Sequence, residues 1–276
     1  MKKHVHILFF IICLIPLSGL AQTSIMSFNI RYDNPNDKEN WWEHRKSALT
    51  TMLLYYEPDI LGVQEALHTQ VQYLDSSLVD YNYIGVGRDD GKQKGEYTAI
   101  YYNTKKYKLL HSKTYWLSET PNTISVGWDA SMERIVTVGE FQDKNNGTRL
   151  YVFNAHFDHI GKLARKKSAA LLLKLIEEMG IQNQKIILMG DLNCEPKDAP
   201  IQTLETALAD TYKISKAKPY GPVGTFNGFD PQSKLTKRID YIFVKKVQVM
   251  QYLTIDDRRN NNLYLSDHFP VFVRIQ

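Results

Sequence analysis

The chain has 276 residues, 43% of them apolar and 23% charged, with two cysteines and a formal charge of +4. Such a chain can bury a large core without disulfides, and it is neither a disordered polyelectrolyte nor a protein dominated by one basic surface. Lys2 and Lys3 precede an apolar run at 7–15, followed by Pro16, Ser18 and the small-x-small group Gly19-Leu20-Ala21, the layout of a signal peptide cleaved near Ala21. That run falls short of the roughly 20 residues of a membrane-spanning helix. An exported chain, periplasmic or extracellular and monomeric, is therefore expected. Cleavage would discard Cys13 and both lysines, leaving Cys194 as the lone thiol and a charge of +2. Nucleic acid is allowed as a partner but not indicated.

No repeat or linker divides 22–276, so one domain is expected there. Strand-like apolar runs occur at 24–30, 60–63, 83–86, 98–102, 135–141, 150–155, 185–189, 238–244 and 270–275. One helix is expected to open with Asn40 as N-cap and Glu43 three residues on, and to stop before Pro58. A shorter one covers 66–78. Another spans 162–179, with Leu163, Leu171, Leu172, Leu175 and Ile176 inward, and ends at Gly180. The turn-rich stretch 143–147 joins two apolar runs as a hairpin would, which implies antiparallel pairing. The fold class predicted is α/β: a four-layer sandwich of two mixed or mostly antiparallel sheets, packed face to face and flanked by helices. The segments 114–133 and 220–236 lack periodicity. Their Trp116, Trp128, Phe226 and Phe229 either border a cleft or pack beneath its loops.

Polar residues recur at the C-terminal ends of the apolar runs: Asn29, Gln64-Glu65, Asn154 and His156, Asp191 and Asn193. A strand end is rigid and lets a polar side chain reach a cleft, so several such ends can converge on one site. Arg238-Ile239-Asp240-Tyr241 and Ser266-Asp267-His268 begin apolar runs, and antiparallel neighbours would bring them to the same edge. Gathered together, Glu65, Asp191, Asp240 and Asp267 would repel one another unless a cation intervened. Oxygen donors from Glu65, Asp267 and the Asn29 amide suit Mg2+, or Mn2+, rather than zinc. His156 and His268 are left for proton or charge management, each requiring an acidic partner. Singly, each residue also reads as an ordinary turn or strand-end residue; the joint occurrence carries the inference. Lys162, Arg165, Lys166 and Lys167 read as a solvated helix face.

With SFNIR (27–31), GVQE (62–65), NAHFDH (154–159), GDLN (190–193), RIDYIF (238–243) and SDHFPV (266–271) in this order, the chain resembles the endonuclease/exonuclease/phosphatase superfamily, in its DNase I-like branch. The likeness runs through nearly all of 24–276. It implies that Glu65 binds Mg2+ directly, with Asn29 and Asp267 beside the metal, directly or through water. By the same resemblance Asp191 and Asn193 orient the attacking water and the phosphate, and His268 pairs with Asp240. His156 contacts phosphate, Glu96 is its acidic partner, and Arg134 binds phosphate. Arg31 departs from the acidic residue that abasic-site endonucleases carry there, which leaves a second metal open. The longer signatures of inositol phosphatases are absent, and so are the DNase I-type disulfides.

The expectation is a divalent-metal-dependent hydrolase of phosphoester bonds, of phosphodiesterase or nuclease type, with protonated histidines stabilising the pentavalent state. Water is activated by Asp191 and Asn193, or alternatively by His268 with Asp240 as base. Lipid, sugar or inositol phosphates remain as alternative substrates on the same scaffold. A rival of another class is a non-catalytic phosphate- or glycan-binding module, which would be expected to have lost the metal and water-orienting residues. None of those losses is visible.

Overall fold

The computed structural model describes residues 22–276; the expected signal peptide lies outside them. Two six-stranded mixed sheets pack face to face. The first runs β11 (Val249–Thr254), β12 (Val271–Ile275), β1 (Thr23–Asn29), β2 (Ile60–Ala66), β4 (Tyr97–Asn103), β3 (Tyr81–Ile84). The second runs β5 (Tyr107–Trp116), β6 (Ile135–Asp143), β7 (Arg149–His156), β8 (Lys185–Asp191), β10 (Asp240–Lys245), β9 (Ala209–Asp210). Helices α1 (Trp42–Tyr56) and α2 (His68–Ser77) cover the first sheet; α3 (Lys162–Glu178) and α4 (Ala199–Glu205) cover the second. A short α5 spans Thr211–Ile214.

Each sheet has one parallel pair near its centre, β1–β2 and β7–β8, and each pair is joined by a helix, as a parallel connection requires. Both faces of these strands are buried, so they read as continuous apolar runs. Along β1, Met26 and Phe28 face the helices while Ile25 faces the other sheet. Ile60, Ile100, Phe141, Val152, Ile187, Met189, Ile242 and Val273 fill the middle of the sandwich. The two parallel pairs end on the same side of it. Register places Asn29 beside Gln64, and His156 and Asp240 on either side of Asp191.

Several boundaries differ from the sequence reading. β5 and β11 were not expected, because both are edge strands with one solvated face; the His111-Ser112-Lys113 stretch of β5 is exposed and carries no apolar run. Asn40 does not cap α1. It closes a 3-10 segment, Pro35–Asn40, and its side chain accepts from Arg259 instead, so α1 starts at Trp42. Leu163 points outward, 45% exposed, because α3 opens under Asp129, whose carboxylate accepts from the Leu163 and Ala164 N–H groups. The 143–147 hairpin forms as expected between β6 and β7. Cys194 is fully buried, and burial pushes its thiol up to about 12. No helix among the described residues is long and apolar enough to cross a membrane.

Candidate active site

The strand ends are bent so that their side chains meet. Gly190, at φ +143, lets β8 pass β7 so closely that a Cβ there would lie 1.8 Å from the Ala155 carbonyl oxygen. A bulge in β2 between Val63 and Ala66 turns Glu65 out of the sheet, with φ +64. Arg31 and Asn193, just past β1 and β8, also take left-handed backbone, at φ +58 and +48. Such conformations cost about 1–3 kcal/mol each in non-glycine residues and gather where the surrounding structure over-determines them.

The side chains so placed line a cavity of about 590 Å3. Asn29, fully buried, donates through Nδ2 to Glu65 Oε1 and to Asp191 Oδ2, both at 3.0 Å. Asp191 Oδ1 accepts from the Asn193 N–H at 2.9 Å. Asp191 Oδ2 also faces two imidazoles, His156 Nε2 at 3.6 Å and His268 Nε2 at 3.7 Å. His268 Nδ1 is 2.8 Å from Asp240 Oδ2, the carboxylate partner expected for it. The ring of Phe226 stands edge-on to His268 at 5.0 Å, and Lys237 lies over Phe226. On the far wall Arg134 reaches His156 at 3.2 Å, His159 at 2.8 Å and Asp158 at 3.3 Å. All ten residues picked out from the sequence therefore share one cavity or its immediate wall.

Glu96 faces His156 as expected and has a second partner as well. It is 3.7 Å from His156 Nδ1, while Arg88 grips its carboxylate with two bonds, at 2.7 and 3.0 Å. The Arg88–Glu96 contact was missed because the glycine-rich 87–95 segment carries no periodic signal. Backbone bonds Gly87–Lys92, Arg88–Glu96 and Asp89–Lys94 fold it into a compact turn. Asp158 was also missed, although it sits inside NAHFDH. It accepts from Ser131, Ile160, Gly161 and Arg134, which fixes the Arg134 guanidinium. Burial pushes the Asp158 carboxyl up, but those donors outweigh it and hold the group below the usual carboxylate range. Trp116 packs under the 87–95 turn and donates to the Arg88 carbonyl; Phe229 packs on Arg45; of the four aromatics, Phe226 lines the cavity.

The charges are strongly coupled to burial. Burial, then Asp240, raises the Asp191 carboxyl to about 7, and burial, then Glu65, raises Glu96 to about 7. Burial raises Asp267 as well. Burial opposes protonation of His268, but Asp240 and Asp191 overcome it and lift the imidazole to about 10. His156 goes the other way: burial, reinforced by Arg134 and Arg88, pushes it well below its ordinary value. The two histidines expected to be protonated are thus pushed in opposite directions, His268 toward the imidazolium and His156 away from it.

Carboxylates that raise one another in this way are short of positive charge, and Asp240 Oδ1 is buried with no hydrogen-bond partner. Ligand atoms of Glu65, His156 and Asp191 all lie within 4.8 Å of one another. A hard divalent cation fits this donor set. A wider cavity of about 770 Å3, between α1 and 257–261, contains no such convergence of carboxylates and imidazoles.

The model of the endonuclease/exonuclease/phosphatase family matches residues 26–268. The chain belongs to this family. A mannosyl-6-phosphatase from Bacteroides thetaiotaomicron superposes with TM-score 0.88 at 38% identity, covering 92% of this chain and 99% of that one. A protein of Acanthamoeba polyphaga mimivirus is 29% identical over 254 residues, which is 84% of this chain and 91% of that protein. The tyrosyl-DNA phosphodiesterase 2 of Danio rerio, solved with a single-stranded DNA product, shares the fold at TM-score 0.72 and 21% identity, covering 93% and 99% of the two chains. As a member of the family the chain is a phosphoester hydrolase, and the family's activity depends on a divalent metal.

Proposed function

We propose that the protein is a Mg2+-dependent phosphomonoesterase whose substrate is a small sugar phosphate. The observation that carries the chemistry is the position of Asp191 Oδ2, one carboxylate oxygen facing two imidazoles and the Asn29 amide. Two features favour a small substrate. The cavity volume falls within the roughly 300–1,000 Å3 usual for small-molecule sites. The 38%-identical neighbour, matched over nearly its whole length, is described as a mannosyl-6-phosphatase.

In this reading Glu65 anchors the metal, with Asn29 and Asp267 on either side; when bound, the ion supplies positive charge to a phosphoryl oxygen. Asp191, held by Asn193 and Asn29, orients the water and takes its proton as the water oxygen bonds to phosphorus and the phosphorus–oxygen bond to the sugar breaks, the departing sugar oxygen taking up a proton from solvent to leave as the alcohol. His268 is protonated at neutral pH and therefore serves as donor to the charge developing on the phosphoryl group, which makes it a poor base. His156, neutral, and Arg134 hold the other phosphoryl oxygens, with Asp158 fixing the guanidinium.

The test is product release from one panel under Mg2+ and under chelator: mannose 6-phosphate, glucose 6-phosphate, an inositol phosphate, sphingomyelin, DNA and RNA. Inorganic phosphate from the sugar phosphates, at a kcat/KM at least 100-fold above that for either nucleic acid, is expected. Preferential cleavage of DNA or RNA contradicts the substrate assignment, and turnover that survives chelation contradicts the metal.

A further inference from the structure

The guanidinium of Arg31 lies among three carboxylates. Its Nε and Nη2 donate to Asp37 at 2.9 and 3.2 Å, and its Nη1 is 3.9 Å from both Glu65 Oε2 and Asp267 Oδ2. The residue is held at both its backbone and its guanidinium. Its N–H donates to Asn29 Oδ1, its carbonyl accepts from Gln70 and from the buried Arg45, and its guanidinium stacks on Tyr32 at 4.4 Å. Asp37 is itself held by the Asn34 amide. A solvated surface arginine requires none of these restraints.

Glu65 consequently has two different faces. Oε1 is turned to Asn29 and the neighbouring Asp191, whereas Oε2 is turned to the Tyr32 N–H and to Arg31. Building on the reading that Glu65 anchors a divalent ion, we propose that Arg31 is a resident cation that fills the space between Glu65 and Asp267 and limits the pocket to one divalent ion per chain. A metal entering on the Oε2 side would meet a fixed positive charge that Asp37 prevents from swinging away, and an arginine does not lose its proton to make room. Removing the guanidinium leaves Asp37, Glu65 and Asp267 facing a common space. Those are the hard oxygen donors that recruit Mg2+ or Mn2+.

The experiment counts Mn2+ bound to the metal-stripped full-length mature chain, by calorimetric titration, with electron paramagnetic resonance reporting spin coupling between neighbouring ions. One Mn2+ without coupling is expected for the wild type and for Arg31→Lys. Arg31→Ala is expected to bind two, with the coupling of a close pair, and the double variant Arg31→Ala/Asp37→Asn to lose the second ion again. Circular dichroism melts establish that each variant is folded; should Arg31→Ala fail to fold, Arg31→Gln, which removes the charge but keeps a long polar side chain, is read in its place with the same expected second ion. Two coupled ions in the wild type, or a single ion in folded Arg31→Ala, overturns the role given to Arg31 and leaves the metal-dependent reading standing. No Mn2+ on the wild type overturns that reading itself.

Discussion

His156 and His268 are each 5% exposed and each lie within 3.7 Å of the same Asp191 oxygen, yet their affinities for a proton are pushed in opposite directions. Burial works against the proton on both. What separates them is the second neighbour. His268 has Asp240 at 2.8 Å behind it, whereas His156 has the Arg134 guanidinium at 3.2 Å. The comparison teaches that residue type and depth do not set the role of a buried imidazole; the sign of the nearest fixed charge does. In the proposed mechanism one wall of the cavity would therefore donate a proton or charge to the phosphoryl group, while the other would bind it through a neutral ring and an arginine.

The largest effect should come from the carboxylate that both rings face. Asp191→Ala should lower kcat by about 10³-fold or more while leaving the melting curve close to wild type. A steady-state rate within tenfold of wild type would remove Asp191 from the mechanism. Next, the two histidines should differ on substitution: His268→Gln, which deletes an imidazolium, should cost about 10²–10³-fold in kcat, and His156→Gln about tenfold less than that. Equal losses would mean that the charge difference has no kinetic consequence.

The same asymmetry sets a pH dependence of stability. His268 is raised above the ordinary imidazole value of 6.5, so its contribution is complete below about pH 6.5 and is lost as pH rises through about 10. Asp191 and Glu96, raised from 3.8 and 4.5 to about 7, withdraw stability from the metal-free chain as pH rises from about 4 to 7, because their charged forms are buried. Chemical denaturation of the metal-free chain should therefore show stability falling from pH 5 to pH 10. Asp240→Asn should flatten the alkaline part of that fall; an unchanged slope in this variant would sever His268 from Asp240. The smallest expected effect lies at the other wall. Asp158→Asn, which loosens Arg134, should raise KM for a phosphomonoester by about tenfold with kcat nearly unchanged. A kcat loss with constant KM would place Arg134 in the chemistry instead of in binding.

Much of this site is legible in the chain because its residues stand where apolar runs end, and buried strands are the strongest signal a sequence gives. Asn29, Glu65, Asp191 and His156 were located by that rule, and the sheets brought them together as expected. Asp240 and His268 were readable for the complementary reason, as starts of antiparallel neighbours. The Arg88–Glu96 pair was not, since a turn held by backbone bonds leaves no periodic trace. The buried Gln64–Asn154 amide bond, 2.7 Å long and spanning the two sheets beneath the site, is equally silent, because no local pattern reveals which residue of the other sheet lies opposite. Edge strands β5 and β11 were lost to their solvated faces. The charge of each histidine was beyond reach for a similar reason: it depends on neighbours more than 20 residues away.

The central claim is that Glu65 holds a divalent ion with which Asp191 hydrolyses a phosphomonoester. The most direct measurement strips the wild type and Glu65→Ala with chelator and follows phosphate release from mannose 6-phosphate as Mg2+ is added back. Turnover should return in the wild type and stay at background in folded Glu65→Ala. Equal recovery in both, or release by the stripped wild type before any Mg2+ is added, would contradict it.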